Sequence, residues 1–306
     1  MKGDRRISLR ARSLRLGLSW FVKRRARPET LDQSRRRILA MEALIPYPPR
    51  DTQTITINAG GVSADRVITP ASRSNRHVLY LHGGAYRLGA PSTYRHVTWR
   101  IASAAQARVL VIDYRLAPEH PFPAALEDAV SCYRWLLAEG TDPRQIAVIG
   151  DSAGGGLALA LLLKLRDSSL PLPAAAVVLS PWTDLALTGA SLTLNAKFDA
   201  MVHAEDAPNF AADYLAGADP RHPYASPLYG DPTGLPPTLI QVGSDEVLRD
   251  DAVRMAERMQ RAHCQAELQI WPRMPHVWHL FAPILPEARE AITEIGKFVQ
   301  RTLPAE

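Results

Sequence analysis

The chain has 306 residues, of which 46% are hydrophobic and 22% charged, and its formal net charge is +5. These proportions are typical of a globular protein with one large core. No internal repeat or low-complexity tract is present, which excludes repeat architectures. The two cysteines, Cys132 and Cys264, fall in helical patterns without metal-like spacing, so a reduced, cytoplasmic setting is favoured over a disulfide framework.

The N-terminal segment is the basic part of the chain. The first fifty residues hold 14 Lys and Arg against 4 Asp and Glu, which leaves 22 against 27 for the remainder. Apolar residues recur in this segment at helical spacing: Ile7, Ala11, Leu14, Leu18 and Phe21. Arginines interrupt the apolar stretch, so it does not read as a secretory signal. A basic amphipathic helix of this kind is compatible with weak contact with a membrane surface through residues 1–26, or with a nucleic-acid contact.

From Thr54 onward, strand-like runs alternate with helical runs. This alternation predicts an α/β fold with a mostly parallel sheet covered by helices on both faces. The eight predicted strands are Ile55, 66–68, 78–81, 109–112, 147–149, 177–179, 239–242 and 268–270.

A glycine-rich loop, His82-Gly83-Gly84-Ala85-Tyr86, directly follows the third predicted strand. Glycines let the backbone pass close to a substrate with its N–H groups turned inward. When the nucleophile is a serine, such a loop supplies part of the oxyanion hole, the set of N–H groups that stabilises a tetrahedral intermediate. Gly83 and Gly84 are the predicted donors from this loop.

The fifth predicted strand runs into Gly150-Asp151-Ser152-Ala153-Gly154-Gly155, and a helical run over 156–166 follows. Strand, tight turn and helix with a serine at the apex form the nucleophile elbow, G-x-S-x-G. A serine hydroxyl is a weak nucleophile, so it must be presented on a sharp turn beside a base. Ser152 is therefore the candidate nucleophile, and the N–H of Ala153 completes the predicted oxyanion hole.

Two adjacent carboxylates, Asp245 and Glu246, follow the seventh predicted strand, and two histidines, His276 and His279, follow the eighth. A triad on this architecture runs Ser, acid, His along the chain. The acid accepts the histidine N–H and stabilises the imidazolium, which either carboxylate can do. The residue types thus leave both the acid and the base open.

Longer motifs accompany these residues. Positions 113–125 read Asp-Tyr-Arg-Leu-Ala-Pro-Glu-His-Pro-Phe-Pro-Ala-Ala, 180–184 read Ser-Pro-Trp-Thr-Asp, and 274–278 read Met-Pro-His-Val-Trp. With the GDSAGG elbow, they resemble the hormone-sensitive-lipase-like esterases (bacterial family IV) of the α/β-hydrolases over 78–298, most of the chain. The resemblance implies an α/β-hydrolase fold with a mostly parallel eight-stranded sheet, flanking helices and a helical cap. The family's loop is usually His-Gly-Gly-Gly, so Ala85 is a departure. Because Ala85 keeps its N–H and adds only a methyl group, we expect the oxyanion hole to survive with a slightly narrower acyl pocket.

The resemblance also implies roles for the candidates. In the family motif Asp-Pro-Leu-x-Asp, the Leu-x-Asp part aligns with residues 248–250, which puts the acid on Glu246. Asp245 is the alternative, because a glutamate departs from the motif. His276 follows Met-Pro and is the implied base, which leaves His279 as a packing or pocket-lining residue. The predicted substrate pocket is lined by Tyr86, Trp182, Phe198 and Tyr214.

The implied helical cap is formed by two separate parts of the chain, so we predict four stretches. Residues 1–48 and the insertion 186–222 are its two parts, and residues 49–185 and 223–306 form the hydrolase core.

The predicted function is that of a serine carboxylesterase acting on small, short-acyl-chain esters through an acyl-enzyme. The same machinery serves lactone and acetyl-metabolite hydrolases, and some relatives bind small molecules after losing a triad member. No metal or organic cofactor is implied, and no nucleic-acid partner is expected. Weak membrane-surface contact through residues 1–26 and a homodimer stay open.

Overall fold

The computed structural model describes residues 7–23 and 30–304 of the chain. Parts of the predicted basic segment, residues 1–6 and 24–26 and the side chain of Phe21, lie outside the described residues.

One eight-stranded sheet forms the centre of the fold, in the order β1-β2-β4-β3-β5-β6-β7-β8. The first strand pairs antiparallel with the second, the second antiparallel with the fourth, and all other neighbours pair parallel. The α/β-hydrolase fold and all eight predicted strands are confirmed. The strands are β1 (Gln53–Ala59), β2 (Val62–Ile68), β3 (His77–Leu81), β4 (Arg108–Ile112), β5 (Ile146–Asp151), β6 (Ala175–Leu179), β7 (Thr238–Gly243) and β8 (Ala266–Trp271).

Helices cover both faces of this sheet. Within the described residues they are α1 (Leu9–Lys23), α2 (Leu31–Glu42), α3 (Arg95–Ala105), α4 (Ala124–Ala138), α5 (Ala153–Asp167), α6 (Ser191–Leu194), α7 (Ala207–Leu215), α8 (Arg249–Arg261) and α9 (Pro286–Thr302). Side chains alternate along a strand, so Leu79 and Leu81 belong to the apolar cluster on the face that α4, α5 and α8 cover, while Val78 and Tyr80 belong to the cluster on the face that α3 and α9 cover. The sequence of β3 is a nearly continuous apolar run because a central strand is buried on both faces of the sheet.

The two N-terminal helices are tied to the core by polar contacts as well as packing. The backbone N–H of Ser8, just before α1, donates to Glu287 at 2.7 Å, and Ala11 is buried. In α2, Arg35 donates to the carboxylate of Glu119, and Glu42 pairs with Arg95 at 2.9 Å. The division of the chain into cap and core stays a prediction.

The prediction that Cys264 is helical is wrong. The helix α8 ends at Arg261, and His263 then adopts a left-handed φ of 59°, which turns the chain out of the helix before Cys264. Cys132 does lie in a helix, α4, and both thiols are free. Among the described residues, no helix combines the length and apolarity that crossing a bilayer requires.

Parallel strands direct their carboxyl ends to one edge of the sheet, where this class of fold places its ligand sites. The loops that leave β3, β5, β7 and β8 at that edge carry the glycine-rich loop, Ser152, the two carboxylates and the two histidines.

Candidate active site

Ser152 lies at the apex of a strained turn between β5 and α5. Its backbone φ of 52° and ψ of −121° are outside the regions that non-glycine residues normally occupy. The turn is possible only with small neighbours: a Cβ on Gly150 would lie 2.1 Å from the Gly154 carbonyl oxygen, and a Cβ on Gly154 would lie 2.1 Å from the Leu81 carbonyl oxygen. The elbow predicted from the G-x-S-x-G pattern is therefore present in the fold.

Three side chains from three loops form one hydrogen-bonded chain. Ser152 Oγ lies 2.9 Å from His276 Nε2, and His276 Nδ1 lies 2.8 Å from Glu246 Oε2. Glu246 is fully buried and His276 is 7% exposed. This is the arrangement in which an imidazole removes a hydroxyl proton while a carboxylate holds its other nitrogen.

The second oxygen of Glu246 is held as firmly as the first. Its Oε1 accepts hydrogen bonds from the Gly243 N–H at 2.5 Å and from the Ser180 hydroxyl at 2.8 Å. The same hydroxyl accepts from the N–H of Val277, next to the histidine, at 3.2 Å. Ser180 thus links the acid to the histidine loop.

The electrostatics of the pair follow from burial and from neighbouring charges. Burial raises the pKa of Glu246 above its ordinary value, although the contact with His276 opposes this. For His276, burial lowers the pKa, but the Glu246 carboxylate, with Asp199 and Asp151 nearby, outweighs it and leaves the pKa raised. The site therefore favours a positive charge on the imidazole, which is the form that a proton transfer from serine creates.

The two alternative residues lie elsewhere. Asp245 pairs with Arg15 of α1 at 2.5 Å and accepts from the Ser244 hydroxyl at 2.7 Å. His279 is fully buried, with its Nε2 2.8 Å from the Gln241 side-chain oxygen, and burial lowers its pKa to about 3. Neither of these residues is hydrogen-bonded to the Ser152 and His276 pair.

The glycine-rich loop after β3 corrects one prediction. The N–H of Gly83 does not face an open site, because it donates to Asp151 Oδ1 at 3.0 Å. No hydrogen bond among the described residues uses the N–H of Gly84 or Ala85. Gly84 and Ala85 also have left-handed φ values of 117° and 54°, which turn the loop sharply beside the elbow. The free donors of this loop therefore lie one residue later than the pair predicted.

Asp151, which sequence reasoning missed, fastens this loop to the elbow. Its buried carboxylate accepts from Tyr80 at 2.8 Å and Tyr94 at 3.3 Å, besides Gly83. Burial raises its pKa to about 6. A carboxylic residue inside the elbow motif, directly before the nucleophile, is the sequence signal that could have identified it.

Three of the four predicted pocket residues lie together. The Tyr86 ring stacks on Tyr214 with centroids 3.7 Å apart, and its centroid lies 6.4 Å from that of Trp182. The backbone N–H of Trp182 donates to the Ser152 carbonyl at 2.9 Å, which puts this cluster next to the elbow. Phe198 lies apart from that stack, 47% exposed, with the Lys197 ammonium 4.8 Å from its ring centroid. In the part of the chain that is described, no group of three or more His, Cys, Asp or Glu side chains has the arrangement of a metal site.

Comparisons with known proteins agree with this geometry. A sequence profile of the family described as alpha/beta hydrolase fold matches residues 78–280. The chain is 50% identical over 253 residues to an acetyl-hydrolase of Streptomyces hygroscopicus, covering 83% of each protein. It is 37% identical over 254 residues to an esterase of Acinetobacter venetianus, covering 82% of this chain and 84% of that protein.

A solved structure of an esterase from the bacterial hormone-sensitive lipase family matches with a TM-score of 0.93 and 46% identity, over 98% of this chain and 100% of that one. At this identity and coverage, the likeness extends beyond the fold to the family. The chain therefore belongs to the hormone-sensitive-lipase-like esterases of the α/β-hydrolase family and is a carboxylic ester hydrolase.

Proposed function

We propose that this enzyme hydrolyses small, relatively soluble esters with short acyl chains, acetyl esters among them, through an acyl-enzyme on Ser152. The observation that carries the proposal is the hydrogen-bonded chain from Ser152 through His276 to Glu246 at the apex of the elbow. The similarity to a protein named acetyl-hydrolase supports the short acyl group.

In the first half of the reaction, His276 Nε2 takes the proton of Ser152 Oγ as that oxygen attacks the ester carbonyl carbon. Glu246 accepts the Nδ1–H, which fixes the tautomer and stabilises the imidazolium. The tetrahedral intermediate then collapses, the bond to the alcohol oxygen breaks, and His276 gives its proton to the leaving alcohol. In the second half, His276 takes a proton from water, the resulting hydroxide oxygen attacks the acyl-enzyme, and the proton returns to Ser152 as the acid leaves.

The negative oxygen of each intermediate requires N–H donors that are not already used. Gly84 and Ala85 offer two from the loop after β3, and Ala153 offers a third at the first turn of α5, where the helix dipole adds a favourable field. Gly83 contributes indirectly, because its N–H bond to Asp151 orients the loop.

The acyl side of the pocket is assigned to Tyr86, Trp182 and Tyr214, with Phe198 at the periphery. The rings of Tyr86 and Tyr214 are stacked and buried, so they have little freedom to move aside for a long acyl chain. This side of the pocket should therefore favour short acyl groups. Lactones and acetylated metabolites remain alternative substrates of the same machinery. A purely ligand-binding role is disfavoured, because relatives of that kind lack a triad member and this chain has a serine, an acid and a histidine in contact.

Three further predictions concern the setting of the enzyme: a cytoplasmic location, a homodimer, and weak contact of residues 1–26 with a membrane surface. The last is supported by Leu9 and Leu16 of α1, which are 78% and 74% exposed on a basic helix. Sedimentation of the full chain with anionic and with neutral vesicles at low salt tests it, and equal recovery with both would contradict it.

The function is tested with p-nitrophenyl esters from acetate to palmitate. We expect activity to peak at the short acyl chains and to disappear in Ser152→Ala. If Glu246 is the acid, we expect kcat to fall roughly 10³–10⁴-fold in Glu246→Ala. Asp245→Ala should lose little activity. Faster cleavage of long-chain esters or triglycerides than of short esters would overturn the substrate class, and full activity of Ser152→Ala would overturn the mechanism.

A further inference from the structure

The loop that carries Glu246 is bonded along its backbone by side chains from the inserted segment. We define the acid loop as residues 244–247, between β7 and α8, and the inserted segment as residues 186–222. The side-chain amide of Asn195 donates to the Glu246 carbonyl at 2.8 Å and to the Ser244 carbonyl at 3.2 Å. The N–H of Val247 donates to the Asp199 carboxylate at 2.9 Å, and Ser191 Oγ donates to the Val247 carbonyl at 2.6 Å.

These bonds lie out of solvent. Ser191 and Val247 are fully buried, and Asn195 and Asp199 are 7% and 2% exposed. A buried backbone N–H or carbonyl without a partner costs about 1–3 kcal/mol. Backbone bonds replace these partners only in part: the Glu246 carbonyl also accepts from the Arg249 N–H at 3.2 Å, and the Glu246 N–H reaches the Gly243 carbonyl at 3.4 Å. The conformation of the acid loop therefore depends on the inserted segment.

Asp199 has a second set of bonds that makes it a rigid anchor. Its Oδ1 accepts from the N–H groups of Met201 and Val202 at 2.9 and 3.0 Å, which leaves Oδ2 for Val247. A carboxylate held by two backbone N–H groups of its own turn has little freedom to rotate. The Val247 N–H is consequently held at a defined place relative to the turn 199–202.

We infer that Asn195 and Asp199 of the inserted segment are positioning residues that hold Glu246 at hydrogen-bond distance from His276. The inference rests on the proposed role of Glu246 as the acid of the triad. Neither side chain is hydrogen-bonded to Ser152 or to His276. Both act on the backbone immediately at and after Glu246, so a shift of either would move the carboxylate at the other end of the same residue. The inserted segment is in this sense part of the catalytic scaffold as well as a cover.

The alternative is that the inserted segment only stabilises the fold by packing. A matched control variant distinguishes this packing role from a positioning role. Ser226 is fully buried and holds the inserted segment at its base: it donates to the Pro220 carbonyl of the segment at 2.7 Å and accepts from the N–H of Leu185, the residue just before the segment, at 2.8 Å. Ser226→Ala therefore removes one hydrogen bond to the segment and one to the residue that precedes it, and Ser226 makes no hydrogen bond to the acid loop.

The experiment measures kcat and KM for p-nitrophenyl butyrate, at the pH optimum of each protein and well below its melting temperature. The proteins are wild type, Asn195→Ala, the nearly isosteric Asp199→Asn, Ser226→Ala, Glu246→Ala and the two doubles with Glu246→Ala. We expect kcat to fall about 10- to 100-fold in Asn195→Ala and Asp199→Asn with little change in KM, because a displacement of about 1 Å has that effect. Ser226→Ala should have a lower melting temperature than wild type and the same kcat.

The double variants carry the decisive comparison. A positioning residue acts through Glu246, so adding Asn195→Ala to Glu246→Ala should change the residual kcat by no more than about twofold. Asp199→Asn also removes a charge that raises the pKa of His276, so the same comparison for its double variant is made at the pH optimum of each protein, where His276 is neutral. Multiplicative losses in the doubles, or an equal loss of kcat in Ser226→Ala, would overturn the positioning role. Loss in Glu246→Ala with wild-type kcat in both single variants would overturn it while leaving the proposed function intact. Wild-type kcat in Glu246→Ala would overturn the acid assignment, and this inference with it.

Discussion

Asp245 and Glu246 are adjacent in the chain, yet their carboxylates are bonded to different parts of the protein. Asp245 pairs with Arg15 of α1 at 2.5 Å, and Glu246 is bonded to His276 at 2.8 Å. Two consecutive residues therefore contact different elements: Asp245 contacts the N-terminal helix α1, and Glu246 contacts the candidate base His276. The acid loop is held by α1 through Asp245 and by the inserted segment through the backbone of Glu246 and Val247.

We expect the Asp245 contact to contribute to stability and not to chemistry. Asp245→Asn should lower the free energy of unfolding by about 1 kcal/mol or less, since both partners are about one-fifth exposed and such pairs are worth little. The kcat should stay near that of wild type. Urea unfolding and ester kinetics check this, with Arg15→Gln and the double variant as controls, because two changes that remove one ion pair should not add. A large fall in kcat in Asp245→Asn alone would assign the acid to Asp245.

The glycine-rich loop after β3 should not tolerate a side chain at Gly83. A Cβ there would lie 2.3 Å from Asp151 Oδ2 and 3.1 Å from the Cβ of Ser152, so either the loop or the elbow must move. We expect Gly83→Ala to lower kcat roughly 10²-fold, the effect of misplacing an oxyanion donor. Gly17→Ala in α1 is the control, because a Cβ at Gly17 meets nothing within 4 Å. Equal activity of the two variants would show that the loop does not need its present position.

The pH profile should report the Glu246 contact. His276 must be neutral to accept the serine proton, and its pKa is raised from 6.5, so the acid limb of kcat/KM in wild type should lie above pH 6.5. In Glu246→Gln a neutral amide no longer stabilises the imidazolium, so the limb should move to lower pH while the plateau falls. A pH series of kcat/KM on one short ester measures both changes. A limb that stays in place would mean that Glu246 does not set the charge of His276.

Buried His279 should make the fold sensitive to acid. Its pKa is lowered to about 3, so below pH 6.5 the unfolded chain binds a proton that the folded chain does not. The stability that this residue contributes is fully present above pH 6.5 and is lost as the pH falls toward 3, by about a tenfold change in the unfolding constant per pH unit. His279→Gln keeps a donor for Gln241 and removes the titration, so urea unfolding between pH 7 and 4.5 should show a shallower slope. Identical slopes for the two proteins would contradict this assignment.

Local patterns in the sequence were enough to predict the sheet and the elbow. Each of the strands β3 to β7 is a short apolar run that a helix period does not fit, and the eight runs correspond to the eight strands. The elbow was predictable because its geometry depends on Gly150, Gly154 and the serine between them, all within five residues of one another. Ser152 could be singled out for the same reason, whereas the choice of His276 over His279 came from the family motif that places the base after Met-Pro.

Tertiary contacts decided what those patterns left open. Asp245 and Glu246 are chemically equivalent candidates in the sequence, and contacts with Arg15, Ser180 and His276, which are distant along the chain, determine which carboxylate bonds the histidine. The Gly83 N–H was expected in the oxyanion hole, but its direction depends on Asp151, which lies on another strand. A sequence pattern records residue types and spacing along one chain, whereas the direction of a side chain or an N–H depends on partners that folding brings from elsewhere.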